Sequence, residues 1–182
     1  MRWEGLFADL EGQLAADLRR ERDDEVAERT RRERALVTLP ARLAAALGTP
    51  LRVVLAGELH VEGDLEDLGQ DWLLLLAPGG HEVLVPLPSV VTLRSLAPHS
   101  EPGRSARRFG LGYALRALSR DRATVVLTLV GGGPRLLGTI DAVGADHLDL
   151  AEHLEGLPRR RENVRAVATV PFSAVVTVES RR

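Results

Sequence analysis

The side chains of this chain that are best suited to chemistry are arginines. The sequence contains no cysteine, and every lysine-or-arginine position is an arginine. Four of them cluster near the C-terminus: Arg159, Arg160, Arg161 and Arg165. Because a guanidinium can donate two parallel hydrogen bonds to a phosphate, this cluster predicts an arm that contacts a nucleic-acid backbone. The alternative is a solvated, flexible loop whose charge serves solubility.

Two histidines and an aspartate share one strand parity and have the side-chain types of a metal site: His147, Asp149 and His153. Histidine and carboxylate ligands suit zinc. The corresponding positions in an earlier repeat of the chain hold Trp72 and Leu74, which cannot bind a metal ion. An outward-facing polar surface is therefore the favoured interpretation, and we expect neither a metal ion nor a cofactor.

Catalytic motifs are absent from the sequence. Without cysteine there is no thiolate nucleophile, and neither the Gly-x-Ser-x-Gly nor the His-Glu-x-x-His motif occurs. Ser89 lies in an apolar segment, and its counterpart in the second repeat is Ala174. Since catalysis needs a nucleophile with a base, or facing carboxylates, in a cleft, we predict that the protein is not an enzyme.

The N-terminal segment carries a narrow apolar seam. Its apolar residues step by four, three and four positions, as on one side of a helix: Trp3, Phe7, Leu10 and Leu14. The following residues, Arg19–Arg34, alternate acids and arginines and predict i,i+4 ion pairs. The seam either packs against the same chain, or forms a helix–helix dimer or a contact with a partner groove. The balanced charges disfavour a helix lying on a membrane.

Composition and charge limit the class of protein. The 182 residues are 45% hydrophobic but only 3% aromatic, so Leu, Val and Ala must build the core. The formal net charge of −2 is unevenly distributed. Residues 51–100 carry two arginines against seven acids, whereas residues 101–182 carry 13 arginines against nine acids. Only the second half would attract a polyanion. We expect a cytoplasmic protein with no membrane contact, because no apolar run approaches the length of a membrane span.

An internal duplication organises the sequence. Gly63–Leu75 recurs as Gly138–Leu150, with identical glycines, aspartates and leucines at corresponding positions. Val85–Leu93 then recurs as Val170–Val178. The offset grows from 75 to 85 positions between the two blocks, so the second copy holds ten additional residues, which we assign to an extended hairpin loop that contains the arginine cluster.

Each copy reads as a short helix followed by about five short strands. Alternating apolar residues near Leu51–Leu55 and Val125–Leu129 indicate strands with one buried face. The repeated Gly63 and Gly138 predict sharp strand bends that leave no room for a side chain. We therefore predict a mainly β fold with α-helices: an N-terminal charged amphipathic helix, two tandem small β-barrels and a linker. The predicted boundaries are residues 1–38 for the helix, 39–98 for the first barrel, 99–109 for the linker and 110–182 for the second barrel.

The motifs of both copies resemble the Sm-like superfamily. The resemblance rests on a helix, a hydrophobic-x-Leu-x-Gly strand, a Gly-x-Leu strand, an Asp-x-Leu-x-Leu strand and a closing strand. The C-terminal barrel of bacterial ribosome maturation factors looks similar. The RNA pocket of the family places an Asn three positions after an Asp and an Arg-Gly pair in the last hairpin. Here Asp71 is followed by Leu74 and Asp146 by Asp149, so the resemblance implies the barrel without that pocket.

Two functions follow as hypotheses. The first is a non-catalytic scaffold or interaction module that self-assembles or binds a protein partner, as a homo-oligomer with a dimer favoured over a ring. The second is an RNA- or ribosome-associated factor that binds through the basic second copy. Phosphate contacts weaken steeply with ionic strength, whereas an apolar protein interface barely responds to it, so salt dependence separates the two.

Overall fold

The structure is a computed structural model that describes residues 2–97, 106–132 and 135–180. Within the first helix it describes the side chains of residues 12, 13 and 18 onward. The chain divides into two compact units, Met1–Thr38 and Leu39–Arg182. The described residues form ten strands and three α-helices. The predicted mainly β fold with helices is therefore confirmed.

The first unit is built on one long helix, α1 (Arg2–Ala35). In its second half Arg29 lies 3.2 Å from Glu33 and Arg32 lies 3.2 Å from Glu28, both as i,i+4 ion pairs. These side chains are largely exposed, so each pair contributes only about 0.3–0.5 kcal/mol. The alternating charge pattern thus gives the helix that the sequence predicts.

The second unit contains two successive sets of one helix and five strands, as predicted. The first set is α2 (Leu39–Ala45), β1 (Pro50–Leu55), β2 (His60–Leu68), β3 (Trp72–Leu76), β4 (Glu82–Pro86) and β5 (Val90–Arg94). The second set is α3 (Leu111–Arg120), β6 (Thr124–Leu129), β7 (Leu136–Val143), β8 (His147–Glu152), β9 (Ala166–Pro171) and β10 (Val175–Ser180). The ten additional residues of the second copy fall in the loop between β8 and β9.

The two repeated glycines lie where neighbouring strands approach closely. A Cβ at Gly63 would stand 2.8 Å from the carbonyl carbon of Leu76, and a Cβ at Gly138 would stand 2.9 Å from that of Ala151. A few residues further on, the register of β2 with β3 and of β7 with β8 shifts at equivalent positions. Such bulges bend a strand. The prediction that neither glycine position has room for a side chain is confirmed.

The repeated Val-Pro segment is not one strand. Pro86 ends β4 and Pro171 ends β9, and a single 3₁₀ turn follows each before the next strand begins. Proline cannot donate a hydrogen bond to a sheet and its φ is fixed near −65°, which suits the residue that precedes such a turn. The Val-Pro segment thus ends one strand, and the Val-Val-Thr run belongs to a separate strand.

All ten strands form one continuous antiparallel sheet in the order β5-β1-β2-β3-β4-β10-β6-β7-β8-β9. The sequence predicts two separate barrels, each completing its own sheet. That expectation is wrong for the pairing of the halves, because β4 of the first copy pairs with β10 of the second. The two outermost strands of the sheet are β5 and β9.

The hydrophobic core has two clusters, one in each half, and each includes at least one buried residue from the other copy. The first cluster lies between α2 and β1–β5 and includes Val176 of β10. The second cluster lies between α3 and β6–β10 and includes Trp72 of β3 and Leu84 of β4. The two copies therefore share buried side chains as well as the sheet.

Candidate interaction surfaces

The pairing of β4 with β10, which we call the internal junction, is the most developed contact between the copies. Its register places Leu84 opposite Val178 and Val83 opposite Glu179. Successive side chains of a strand point to opposite faces, and the two core clusters follow this rule. Val83 lies in the first cluster, whereas Leu84 and Val178 lie in the second. The junction thus buries apolar side chains on both faces, Val83 on one and Leu84 with Val178 on the other.

Trp72 anchors the second-cluster face of the internal junction. It is only 3% exposed, and its indole N–H donates to the carbonyl oxygen of Phe109 at 3.2 Å. The two rings stack with centroids 6.0 Å apart. A buried indole needs an acceptor for its N–H, and this contact supplies one while the ring covers the core of the second copy.

Asp71, one residue before Trp72, holds the start of α3. Its carboxylate accepts a hydrogen bond from the backbone N–H of Leu111 at 2.7 Å. The residue at the N-cap of α3 is Gly110, which has no side chain to accept from the first turn. A carboxylate at a helix N-terminus stabilises its free N–H groups. A turn of the first copy therefore caps the helix of the second.

Ser89 also links the two copies, through hydrogen bonds of its hydroxyl group. Its hydroxyl is buried and lies 2.7 Å from the carbonyl oxygen of Pro86 and 3.1 Å from that of Val176. The first acceptor ends β4 and the second belongs to β10. Ala174, the counterpart of Ser89, has no hydroxyl, so this contact exists at the internal junction and has no equivalent in the second copy.

In the second copy, polar residues occupy the positions whose counterparts in the first copy form the internal junction. The counterparts of Trp72, Leu74 and Leu84 are His147, Asp149 and Thr169. The Thr169 hydroxyl donates to the Asp149 carboxylate at 2.6 Å. No strand pairs with the outer edge of β9 among the described residues. This surface is a polar version of the one that the internal junction buries.

The carboxylate of Asp146 interacts with the neighbouring imidazole rather than with a helix. Its Oδ1 lies 2.8 Å from Nδ1 of His147. The hydrogen bond from His147 lowers the pKa of Asp146 below its ordinary value, against a smaller opposing effect of desolvation. Asp146 is the counterpart of Asp71, so a helix-capping residue in the first copy corresponds to an exposed residue hydrogen-bonded to its neighbour in the second.

The other open edge, β5, exposes residues that are buried in its counterpart β10. Val91 is 63% exposed, whereas the equivalent Val176 is 0% exposed in the first core cluster. Thr92 is likewise exposed and Thr177 buried. Because the residue types are the same, the difference comes from the neighbour: β10 lies between β4 and β6, and β5 has only β1.

The predicted arginine arm lies in the loop between β8 and β9, and its four members differ. Arg159 forms a two-pronged pair with Asp141, with Nε 2.8 Å from Oδ1. That carboxylate raises the pKa of Arg159. Arg160 lies 3.9 Å from Glu162. Arg161 and Arg165 are exposed, and within the described part of the chain they show no ion pair.

A cavity of about 410 Å³ adjoins this loop. Arg122, two residues after the end of α3, lines it together with Asp141 and Arg159. Asp141 already forms an ion pair with Arg159. Of the two arginines that line the cavity, Arg122 therefore has no described ion pair. The sequence alone does not indicate that Arg122 lies beside the arginine arm.

The histidines and the aspartate considered for metal binding do not converge. No group of metal-ligating side chains occurs in the described ranges. His153 is buried, with Nε2 2.9 Å from the Thr139 hydroxyl and Nδ1 3.0 Å from the carbonyl oxygen of Leu154. The interpretation of His153 as part of an outward polar face was therefore wrong, because its ring nitrogens find partners inside the fold.

The apolar seam of the N-terminal helix falls outside the described side chains. α1 has the helical backbone that the seam predicts, but the positions of its four side chains, Trp3, Phe7, Leu10 and Leu14, are not among those described. Within the described residues, none of the helices is both long enough and apolar enough to span a bilayer.

Sequence reasoning missed the internal junction, although one signal for it was present. β3 reads Trp-Leu-Leu-Leu-Leu without polar alternation, whereas its counterpart β8 reads His-Leu-Asp-Leu-Ala. An unbroken apolar run is typical of a strand that is buried on both faces. The contrast between the two copies at Trp72 and His147 marks which copy is covered. Comparison with protein-family models and with curated proteins finds no match to this chain.

Proposed function

We propose that this protein is a non-catalytic, self-assembling scaffold built from two Sm-like units. The observation that carries the proposal is the pairing of β4 with β10. It supports a mode of assembly in which one unit pairs a strand with its neighbour and places a valine side chain in the neighbour's core. Among the described strands, β5 and β9 each have one edge without a partner strand, and such edges are templates for pairing with another chain.

Measuring the mass of the full chain in solution tests the proposal. A monomer has a mass of 19.8 kDa. We expect light scattering at tens of micromolar protein to give at least twice this mass, with a dimer as the first species. A monomer throughout that range would overturn self-assembly.

Sensitivity to salt identifies the kind of contact that holds the oligomer. Interfaces that depend on strand pairing and apolar contacts respond weakly to ionic strength, whereas phosphate contacts respond steeply. We therefore expect the oligomer to persist at high salt. Assembly that disappears on nuclease treatment would show that nucleic acid, rather than a protein edge, links the chains.

The second candidate function is RNA binding through the loop between β8 and β9. Arg161 and Arg165 are exposed, and Arg122 lies beside the arginine arm. The pair of Arg159 with Asp141 reduces the charge that this residue offers to a phosphate. These features support a weak contact with the phosphate backbone rather than base recognition.

A charge-matched comparison tests the RNA hypothesis. One variant replaces the four arginines of the arm with glutamine: Arg159, Arg160, Arg161 and Arg165. The control variant removes the same charge from α1: Arg29, Arg31, Arg32 and Arg34. Fluorescence anisotropy with labelled single-stranded RNA should detect binding that only the first variant loses. Equal loss in both variants, or no binding by the parent, would exclude the arm.

A further inference from the structure

We infer that the cavity beside the loop between β8 and β9 binds a small hydroxylated molecule through a phosphate or carboxylate group. This site goes beyond the proposed self-assembly and does not depend on it. The cavity volume of about 410 Å³ lies at the small end of the range for ligand sites, roughly 300–1,000 Å³. Its described lining consists of two arginines, a carboxylate, two hydroxyls and an isoleucine: Arg122, Arg159, Asp141, Ser119, Thr139 and Ile140.

Arg122 has a backbone conformation that arginine rarely adopts. Its φ is 51°, in the left-handed region that favours glycine. The chain turns out of α3 here, with the Arg122 N–H donating to the carbonyl oxygen of Ser119 at 3.2 Å, and glycine is the usual residue at such a helix end. In the first copy the matching residue, also two positions before the first strand, is Gly48 with a φ of 80°. The second copy therefore has an arginine where the fold favours glycine.

The side chain of Arg122 offers a reason for this backbone conformation. Residues held in a strained conformation cost stability, and they cluster at ligand-binding sites. Arg122 lines the cavity, and its guanidinium has no ion-pair partner among the described residues. Stability alone gives no reason for an arginine at this position, whereas holding an anion in the cavity does.

Arg159 lies at the same cavity and belongs to the segment that only the second copy has. In the first copy the corresponding loop, between β3 and β4, is limited to residues 77–81. Asp141 orients the Arg159 guanidinium by accepting from Nε at 2.8 Å and from Nη2. A guanidinium has five N–H donors, so those that do not face Asp141 remain available to a ligand. Two cations that the first copy lacks thus meet at one cavity.

The charges of the lining define the class of ligand. Two arginines against one aspartate give the described lining a formal net charge of +1, which suits a single anionic group. Guanidinium groups bind phosphate and carboxylate oxygens through paired hydrogen bonds. The Asp141 carboxylate has further lone pairs that can accept from ligand hydroxyls. The ligand is therefore small and polar, with its anionic group beside Arg122 and its hydroxyl groups beside Asp141.

An NMR titration of the isotope-labelled full chain tests the site. The probes are glycerol 3-phosphate and glycerate, which both carry hydroxyl groups and differ in the anionic group, and glycerol is the neutral control. We expect the backbone signals of the lining residues to shift with at least one of the two anions and not with glycerol. The anion that shifts them identifies the group as phosphate or carboxylate. Shifts with neither anion, or equal shifts with glycerol, would overturn the inference.

Arg122→Gly separates a binding role from a structural one. This variant has the residue of the first copy, so its melting temperature should equal or exceed that of the parent. Its affinity for the anion should fall at least about tenfold, as expected for a lost hydrogen bond between charged groups. Arg120→Gln, which removes one positive charge outside the described lining, is the matched control and should bind like the parent. Unchanged binding by Arg122→Gly would overturn the inference, and so would binding that is lost only together with a clearly lower melting temperature.

Gly48→Arg is the converse test of the backbone conformation. A Cβ at Gly48 would meet nothing within 4 Å, so a loss of stability in this variant comes from the backbone rather than from a clash. We expect a lower melting temperature than in the parent and an unchanged affinity for the anion. A melting temperature equal to that of the parent would overturn the strain on which the assignment of Arg122 rests.

Competition with RNA distinguishes this site from the second candidate function. Because Asp141 lies in the lining and like charges repel, single-stranded RNA should leave the NMR shifts caused by the small anion unchanged. Displacement of the anion by RNA would show that backbone phosphates occupy the cavity, and it would overturn a small-molecule ligand.

Discussion

Replacing Trp72 with alanine tests how much the internal junction contributes to stability. The ring is almost fully buried in the second core cluster although it belongs to the first copy. Its counterpart His147 is 45% exposed, and among the described strands none lies beyond β9 on that side of the sheet. The same substitution at the two equivalent positions should therefore have different effects, and His147→Ala is the matched control for Trp72→Ala.

The expected magnitude follows from the buried area. An aromatic side chain of this size buries about 150–250 Å², which at ~25 cal/mol per Å² corresponds to about 4–6 kcal/mol. A compact unfolded chain lowers this by roughly 10–40%, to about 2–5 kcal/mol, a range that overlaps the measured losses of about 3–5 kcal/mol for Trp→Ala in protein cores. For His147→Ala we expect a loss below about 1 kcal/mol.

Urea unfolding followed by circular dichroism measures both variants, since the signal does not depend on the tryptophan. Small proteins are stable by about 5–15 kcal/mol, so the loss at Trp72 should move the midpoint far below that of the parent. Equal destabilisation by the two variants would refute the assignment of Trp72 to a covered junction. A Trp72→Ala variant within about 1 kcal/mol of the parent would do the same.

Three further predictions concern individual residues. Gly63→Val and Gly138→Val should each cost about 1–3 kcal/mol through overpacking, and thermal melts like that of the parent would contradict the close strand approach. Ser89→Ala should cost about 1–2 kcal/mol, because two buried carbonyls lose their shared donor; chemical denaturation measures this. The pKa of Asp146, followed by NMR titration, should rise toward its ordinary value in His147→Ala. Because folding lowers this pKa, its small stabilisation is present above the ordinary aspartate value and is lost as the pH falls through the folded-state value.

Much of the fold could be predicted because duplication and periodicity are local properties of the sequence. Alternation of apolar residues locates the buried face of β1 and β6, and the repeated Gly63 and Gly138 mark positions without room for a side chain. Each helix and each set of five strands follows from these patterns. The repeated prolines also mark a possible turn at the end of a strand, since proline pre-sets the backbone of a turn.

The partner of each edge strand could not be predicted in the same way. Val91 and Val176 occupy the same place in the repeated Val-Val-Thr run, yet one is exposed and the other buried. Their difference depends on which strand lies beside them, and strand order is not encoded in the alternation of one strand. The same limit applies to the pairs of Arg159 with Asp141 and of His153 with Thr139, which join separate elements.

The position of β10 in the sheet has a consequence for synthesis of the chain. β10 follows the other nine described strands in the chain, yet it lies inside the sheet between β4 and β6. The first copy therefore lacks Val176, and β4 lacks its partner, until β10 has been translated. At roughly 5–20 residues per second, several seconds separate the appearance of β4 from that of β10. During that interval the nascent chain presents the β4 edge unprotected, so the duplicated order of strands delays completion of the first half until the second is finished.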